Sequence, residues 1–485
     1  MALIVAGLAA CSYGLIPTGA NAVKKKAAAI KIGVLDDAPL RWQHIALLLV
    51  MAIAITIDVM KPTTLSFVAP GMAKEYGLKS ATNPHGHLPV SWLPLAGISG
   101  TVLGSFVWGW LGDRIGRRAS IILAGLLFTT TGICGAMPGF SWNLLMCFLM
   151  GIGVGGLLPI AFTLMAETIP ARHRGWLLVL IGGDVAGAYV ITSWLAGALI
   201  PHYSWRIMWL IGVPTGLVVI ALSQWIPDSP RYLLAIGRRA AAEQIMKRYG
   251  AAIISDEHRE LPPAEDRIHD SFRQILARPF LGSSIAITAL AIGAGLVTFG
   301  FQLWIPTNLQ HLGFTAVHSA YIVRNAALIG LPVTVVVACL YGFWSAKKTI
   351  VLLSALTALA LSVFVIGGNA LSHNHLLLGF LLVLPLSGIS SLVAVLSAYA
   401  SEIYPTRVRS RGSGFAAGMT KAGGVLIIAV VVAAATIPSI ALTALIGAIP
   451  LLLGLVIFWR TGLETRQRRL EEITRYELGT STPVS

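Results

Sequence analysis

The sequence predicts an all-α integral membrane protein, and three features of the chain indicate this fold class. Hydrophobic residues make up 56% of the 485 positions and charged residues only 11%, whereas about 25% of an average soluble domain is charged. Apolar segments of about 20 residues, the length needed to cross a bilayer, recur along the chain. Basic residues cluster in alternate connections between these segments, which is the pattern of a polytopic membrane protein.

Twelve apolar segments are predicted to cross the membrane as helices. Six of them precede a polar stretch at 227–279, and six follow it. The predicted spans lie near 43–69, 88–111, 119–140, 142–166, 176–199, 206–226, 280–304, 317–341, 349–370, 376–400, 413–436 and 438–459.

The same pattern divides the chain into two tails, two six-helix bundles and one polar loop. Within the loop, residues 239–249 alternate Ala with Lys, Arg and Glu, as an amphipathic surface helix does. Residues 254–270 are charged and contain Pro, which is typical of a linker. The parts are the N-terminal tail at 1–42, the first bundle at 43–226, the central loop at 227–279, the second bundle at 280–459 and the C-terminal tail at 460–485.

The distribution of positive charge orients the chain in the membrane. When the N-terminus is placed inside, 29 of the 35 Lys and Arg residues fall in the tails or in connections on that side. The positive-inside rule therefore predicts that both termini and the central loop are cytoplasmic. The net charge of +15 follows from this topology, so we expect no nucleic-acid partner.

The sequence offers no residues for catalysis or metal binding. The four cysteines, Cys11, Cys134, Cys147 and Cys339, show no paired or metal-type spacing. No nucleophile-elbow, phosphate-loop or zinc-protease pattern occurs in a suitable context. We therefore expect no enzyme activity, no cofactor and no bound metal.

Two sequence landmarks recur at nearly the same spacing. Glu167 follows the fourth predicted span, and Glu402 follows the tenth. Gly109 opens a basic turn after the second span, and Gly342 opens a similar turn after the eighth, at almost the same offset along the chain. Two six-helix halves related by duplication explain both offsets, as is common in membrane transporters.

Two motifs relate the chain to a known family. Residues 109–118 read GWLGDRIGRR, which resembles the loop between the second and third helices of the major facilitator superfamily. Residues 227–231 read PDSPR, which resembles the Pro-Glu-Ser-Pro-Arg element after the sixth helix in sugar porters and their relatives. The resemblance spans about 43–460 and covers the branch that holds sugar porters and organic-ion or aromatic-acid proton symporters. It implies a secondary transporter that works by alternating access.

The resemblance also implies a gate at the cytoplasmic side. Asp113 would face the start of the eleventh helix, whose N-terminal dipole favours an anion. Glu167 and Glu402 resemble the acidic members of the salt-bridge network that closes the outward-facing state. The alternative is that the basic residues only signal topology. The candidate gating residues are Gly109, Asp113, Arg114, Gly116, Arg117, Arg118, Glu167, Arg172, Glu402, Arg407 and Arg411.

Five charged residues fall inside the predicted spans, where an ionised side chain is costly and usually faces a cavity. They are Asp58, Lys61, Asp184, Arg324 and Lys421. Asp58 resembles the acidic residue that proton-coupled relatives carry on the first helix, so we expect it to be the proton-coupling group. The alternative is a static partner for Lys61, three residues away. Asp184 is the second candidate for coupling, and it occupies the place in the first half that Lys421 occupies in the second.

The excess of cations inside the spans indicates the substrate class. The spans hold three cations but only two carboxylates. Because a buried charge needs a partner, an anionic substrate would balance the third cation. Arg324 is the preferred ligand, since guanidinium matches a carboxylate with two parallel hydrogen bonds. The alternative is an internal ion network with a neutral substrate. The candidate substrate-binding residues are Lys61, Gln302, Trp304, Asn308, Arg324, Asn325 and Lys421.

A sugar substrate is disfavoured, although the cytoplasmic motifs are shared with sugar porters. Those proteins carry paired glutamines in the seventh helix and a Trp in the tenth, whereas this chain has one glutamine in the seventh span and no Trp in the tenth. We therefore predict a monomeric, proton-coupled symporter of a small organic anion in the inner membrane, whose partners are its substrate, protons and the lipid bilayer. The alternatives are a carrier of organic cations, drugs or sugars, and a non-transporting membrane sensor on this fold.

Overall fold

The computed structural model describes residues 33–470 with several gaps, and for a few further residues, among them Arg324, it describes the backbone alone. Every named element in the described part is a helix, and the one β contact recorded there is an isolated bridge between Lys79 and Pro89. The gaps are 80–84, 131, 134–136, 184, 252–271, 278–279, 303–304, 306–308, 310–311, 314–315, 369–374, 406–407, 435–438 and 469.

The first half contains six helical segments, which we number α1 to α6. Pro62 and Pro70 lie inside the first of them, which runs for 34 residues. The segments are α1 (Trp42–Glu75), α2 (Trp92–Ile115), α3 (Arg117–Thr130), α4 (Phe140–Thr168), α5 in two pieces (Ala171–Gly182 and Val185–Tyr203) and α6 in two pieces (Ile207–Leu210 and Gly212–Leu222).

The second half contains six further segments, α7 to α12, three of which include a π-helical turn. Such turns open the regular hydrogen-bond ladder and are frequent at functional sites. The segments are α7 (Leu281–Leu296, with the turn Val297–Gln302), α8 (Ala316–Cys339, with the turn Leu340–Trp344), α9 (Ala346–Gly367), α10 (His375–Val383, the turn Leu384–Gly388 and Ile389–Ile403), α11 (Arg409–Ala434) and α12 (Ile440–Thr461).

The helices carry the apolar lengths and surfaces of membrane spans. Eight described helical segments, in α1, α2, α4, α7 and α9 to α12, are long and apolar enough to cross a bilayer, and shorter apolar helices lie in α5, α6 and α8. Large apolar side chains also point outward, for example Ile366 and Phe380, which are 87% and 73% exposed. An outer surface of this kind suits contact with lipid.

Short helices cap the end of the bundle that carries most of the basic residues. One precedes α1 (Gly33–Asp36), two follow α6 (Pro230–Ala235 and Arg239–Arg248), and one precedes α7 (Phe272–Ile275). Ser229 begins the second of them, because its hydroxyl accepts a hydrogen bond of 3.2 Å from the Tyr232 N–H. A side chain in this position satisfies one of the free N–H groups of the first turn. We call this end of the molecule the basic end.

Glycines let α2 pack closely against one helix of its own half and one helix of the other half. A Cβ on Gly151 of α4 would overlap the carbonyl oxygen of Gly97 of α2, and a Cβ on Gly414 of α11 would overlap that of Ser105. Small residues allow such close backbone approach in a membrane, where apolar burial does not drive association. The helix α2 therefore joins α4 of its own half to α11 of the other half, and Asp113 and Lys421, described below, lie along this junction.

Candidate functional site

Asp113 ties α2 of the first half to the beginning of α11 in the second half. Its carboxylate accepts hydrogen bonds from the backbone N–H groups of Ser410 (3.2 Å) and Arg411 (3.1 Å). A carboxylate at a helix N-terminus receives free N–H groups and the favourable end of the dipole. The Arg117 guanidinium lies 3.5 Å from the same carboxylate, so Asp113 is held from both halves.

Glu167, at the end of α4, is shared by arginines of the two halves. Arg117 of the first half donates to Glu167 Oε1 at 2.9 Å, and Arg409 of the second half donates to the same oxygen at 3.0 Å. All three side chains are buried. Because an unpaired charge is expensive at such a site, each member of this group depends on the others.

Glu402, at the end of α10, is the matching glutamate of the second half and lies against an arginine of the first half. The Tyr341 hydroxyl donates to its Oε2 at 2.9 Å, and Nε of Arg174 from the first half lies 3.5 Å from its Oε1. Arg174 and Arg409 are as far apart along the chain as Glu167 and Glu402 are. Each half thus offers one glutamate to an arginine of the other, and the exchange follows the internal repeat.

Both tails join these contacts through Asp36. Its carboxylate accepts hydrogen bonds from Arg174 (2.9 Å), Arg231 (3.0 Å) and the N–H of Leu470 (3.4 Å). Burial raises the pKa of this carboxyl, but the charges of Arg231 and Arg174 outweigh burial and hold the pKa below its usual value. Arg174 also donates to the backbone carbonyl of Arg468 at 2.7 Å, so it links α5 to segments at both ends of the chain.

We call this set of buried ions the basic-end network. It comprises three carboxylates that connect the two halves, one carboxylate from the N-terminal segment, and the arginines that bind them. Its members are Asp36, Asp113, Arg117, Glu167, Arg174, Arg231, Glu402, Arg409 and Arg411.

The network contains Arg174, whereas the sequence prediction selected Arg172. Arg172 is exposed, whereas Arg174, two residues further along α5, is buried in the network. The physical reason is helical geometry, because residues two apart point to different faces. Arg407 lies outside the described residues, and Arg409 is the arginine that binds Glu167.

The remaining candidates in the basic turn shape it or lie at its surface. Arg114 is exposed, and its guanidinium lies 4.5 Å from the centre of the Trp110 ring. The backbone N–H of Arg118 donates to Asp228 Oδ1 at 3.3 Å. Gly116 adopts a φ of +97°, and Gly109 packs directly against the backbone of α11. These glycines permit the turn and the close contact between the halves.

Lys421 and Asp58 form a second charged centre, within the spans. The Lys421 ammonium, from α11, donates to Ser105 Oγ of α2 at 3.1 Å and lies 3.5 Å from the Gly155 carbonyl oxygen of α4. The Asp58 carboxyl of α1 is buried in the first half. Asp58 also lines a cavity of about 10 Å³ beside Phe128, which is roughly the space of one water molecule. Lys421 of the second half is thus bound to two helices of the first half, which also contains the buried carboxyl of Asp58.

Lys61 is enclosed by helices of the first half. Its ammonium is buried among α1, α3 and α6, where it donates to the Trp209 carbonyl at 3.4 Å and lies 5.1 Å from the centre of the Phe128 ring. Gly212 packs directly against it. Carbonyl and aromatic groups of its own half enclose the ammonium, and its role as a substrate ligand stays a prediction.

Gln302 joins α7 to α10. Its amide nitrogen donates to the carbonyls of Pro385 (3.1 Å) and Leu386 (2.5 Å), which belong to the π-helical turn of α10. The amide donors are therefore bound within the protein. Asn325 of α8 is exposed. Asp184, Trp304, Asn308 and the side chain of Arg324 lie outside the described residues.

Comparison with known proteins identifies one family. Residues 46–427 match the sequence model of the Major Facilitator Superfamily. The chain is 28% identical to the niacin transporter NiaP of Acinetobacter baylyi, covering 81% of this chain and 87% of that protein. It is 24% identical to the 4-hydroxybenzoate transporter PcaK of the same organism, covering 81% and 85%.

A solved structure with the same architecture is the proton:xylose symporter XylE bound to 6-bromo-6-deoxy-D-glucose. It is 18% identical, with a TM-score of 0.74, and the alignment covers 89% of this chain and 98% of that one. Identity at this level shows the fold alone. The predicted fold class, twelve transmembrane helices in two six-helix bundles, is confirmed by this likeness and by the family match.

Proposed function

Because the chain belongs to the Major Facilitator Superfamily, we propose that it carries a small organic anion together with protons across the inner membrane. Membership makes it a multi-pass membrane transporter of small molecules and not an enzyme. The observation that carries the finer proposal is the position of Lys421, a cation of the second half that is bound to α2 of the first half, the half that also holds the buried carboxyl of Asp58.

Charge balance at this centre supplies a coupling mechanism. When Asp58 is ionised, it compensates the partly buried Lys421 ammonium. When Asp58 takes up a proton, the ammonium loses that compensation, and a carboxylate of the substrate restores it. Binding of the proton and binding of the anion therefore favour each other, which is the thermodynamic requirement for coupled transport.

The basic-end network supplies the gate in this proposal. Its three carboxylate contacts, at Asp113, Glu167 and Glu402, join the two halves and close the basic end. The distribution of positive charge supports a cytoplasmic location of that end and of both termini, and with that orientation the closed network corresponds to an outward-facing state. Rocking of the halves then breaks these contacts and opens the central site to the cytoplasm.

The names of the relatives support a carboxylate as the substrate. Niacin and 4-hydroxybenzoate, which name two transporters of about one-quarter identity, are both aromatic carboxylic acids. A single carboxylate on an apolar ring also suits a site that offers one partly buried ammonium among apolar helices. We therefore assign aromatic monocarboxylates as the substrate class to test first.

The test is substrate counterflow and pH-driven uptake in proteoliposomes loaded with nicotinate or 4-hydroxybenzoate. We expect Lys421→Gln to abolish both activities, because the compensating charge for the anion is lost. We expect Asp58→Asn to retain counterflow but to lose accumulation driven by a pH gradient. Lys74→Gln is the matched control, because Lys74 is an exposed lysine at the end of α1. Full activity of Lys421→Gln towards both acids would refute the proposal.

A further inference from the structure

A groove opens on the outer surface of the basic end, away from the junction between the halves. It lies between the beginning of α1, the end of α6 and the short helix Arg239–Arg248. Its volume of about 350 Å³ falls within the range of about 300–1,000 Å³ that is typical of ligand sites. Its described lining residues are Trp42, Gln43, Ala46, Leu47, Leu49, Val50, Leu222, Trp225, Arg248 and Tyr249.

The lining combines an apolar wall with a positive rim. Among the described lining residues, Arg248 is the charged one, and none is a carboxylate. A second guanidinium, that of Arg41, lies directly against Gly250, two residues beyond Arg248. One arginine, Arg248, therefore lines the groove, and a second, Arg41, lies beside it against Gly250. This pairing complements a molecule with an anionic head and an apolar body.

The groove lies at the depth where helices leave a membrane. It is bounded by Trp42, the first residue of α1, and by Trp225, three residues beyond the end of α6. Both indoles are largely exposed, at 68% and 58%. Tryptophan is enriched at the level of lipid headgroups. From there, the exposed side chain of Leu49 continues the groove along α1 towards the middle of the bundle.

We propose that this groove binds an anionic phospholipid from the leaflet that faces the basic end. The phosphate lies between Arg248 and Arg41, and an acyl chain follows the apolar wall formed by Leu49, Val50 and Leu222. Basic pockets between membrane helices on the cytoplasmic side are suited to such headgroups. A free phosphate would use only the rim, and a neutral lipid would leave the two arginines without a counter-charge.

The experiment is native mass spectrometry of the full chain in detergent with phosphatidylglycerol or phosphatidylcholine. We expect the wild-type protein to bind phosphatidylglycerol more tightly. Arg41→Gln and Arg248→Gln should each weaken that binding about five-fold, which corresponds to about 1 kcal/mol for each basic residue near an anionic surface. Lys247→Gln is the matched control, because Lys247 is an exposed neighbour on the same helix that does not line the groove.

Two further arms separate the lipid from other occupants. Ala46→Phe places a larger side chain in the apolar part of the groove, so it should weaken the binding of phosphatidylglycerol. In the second arm, glycerol phosphate alone should compete poorly with the lipid. An unchanged thermal unfolding midpoint shows that each variant is folded. Equal binding of the two lipids, or equal effects of Lys247→Gln and Arg248→Gln, would overturn the proposal. The proposal would also be overturned if the protein preferred phosphatidylglycerol to phosphatidylcholine only after residues 1–32 were removed, because the N-terminal segment would then be the occupant of the groove.

Discussion

Replacing Glu167 with Gln should open the basic end of the transporter. Arg117 and Arg409 both donate to Glu167, and their side chains are only 2% and 1% exposed. Removing one partner of a buried ion pair costs about 3–5 kcal/mol. In the open state, separation of the halves would allow water to reach Arg409, so most of this cost falls on the closed state. A shift of about 3 kcal/mol changes the ratio of the two states by more than about 100-fold.

Cysteine labelling measures this opening. Ser413 is buried between the halves, and its hydroxyl donates to the Pro159 carbonyl at 3.1 Å. In a background without the four native cysteines, a Ser413→Cys thiol should react with a maleimide about 100-fold faster when Glu167→Gln is present, up to the rate of a fully open protein.

The control uses a surface ion pair at the same end of the molecule. Glu243 binds Arg239 within one short helix, with side chains 33% and 54% exposed, and such pairs contribute about 0–1 kcal/mol. Glu243→Gln should therefore leave the labelling rate nearly unchanged. If Glu167→Gln labels no faster than Glu243→Gln, then the network does not hold the basic end closed and the gating proposal is wrong.

Three further predictions concern individual residues of the fold. The pKa of Asp36 is lowered in the folded protein. The ionised carboxylate therefore stabilises the protein above the unfolded pKa of about 3.9, and this stabilisation is lost as the pH falls through the folded pKa. The thermal unfolding midpoint of Asp36→Asn should thus depend less steeply on acid pH than that of the wild type. Gly116→Ala should lower the unfolding midpoint, since the φ of +97° is strained for Ala and a Cβ would lie 2.7 Å from Tyr232, whereas Gly139→Ala, with open space around it, should not. Gln302→Ala should cost about 1–3 kcal/mol in denaturant unfolding, because the α10 carbonyls lose their donor; an unchanged midpoint would contradict that assignment.

The fold was predictable from the sequence because its signals are local. Apolar length, positive charge in alternate connections and two repeated landmarks are each read directly from the chain. The helices of the structure overlap all twelve predicted spans. The sequence analysis gave no signal for the three π-helical turns, two of which are joined by the hydrogen bonds from Gln302 to α10.

The site was predictable only in part, because it depends on side-chain direction and on distant contacts. The basic turn and the two repeated glutamates led to the right elements. The offset between those glutamates relates Arg172 to Arg407 as well as Arg174 to Arg409, so it does not by itself select Arg174. Nothing in the sequence near Asp36 indicates that it meets Arg174, which lies 138 residues away. The direction of Lys61, into its own half, was equally hidden.

Proton movement during transport tests the central claim most directly. The measurement uses proteoliposomes with a trapped pH indicator, and nicotinate or 4-hydroxybenzoate is added outside at neutral pH, with protein-free liposomes as the control for passive entry. We expect internal acidification that follows substrate entry in the wild type and is absent in Asp58→Asn. Substrate entry in the wild type without acidification beyond the protein-free control would contradict coupling through Asp58 and Lys421.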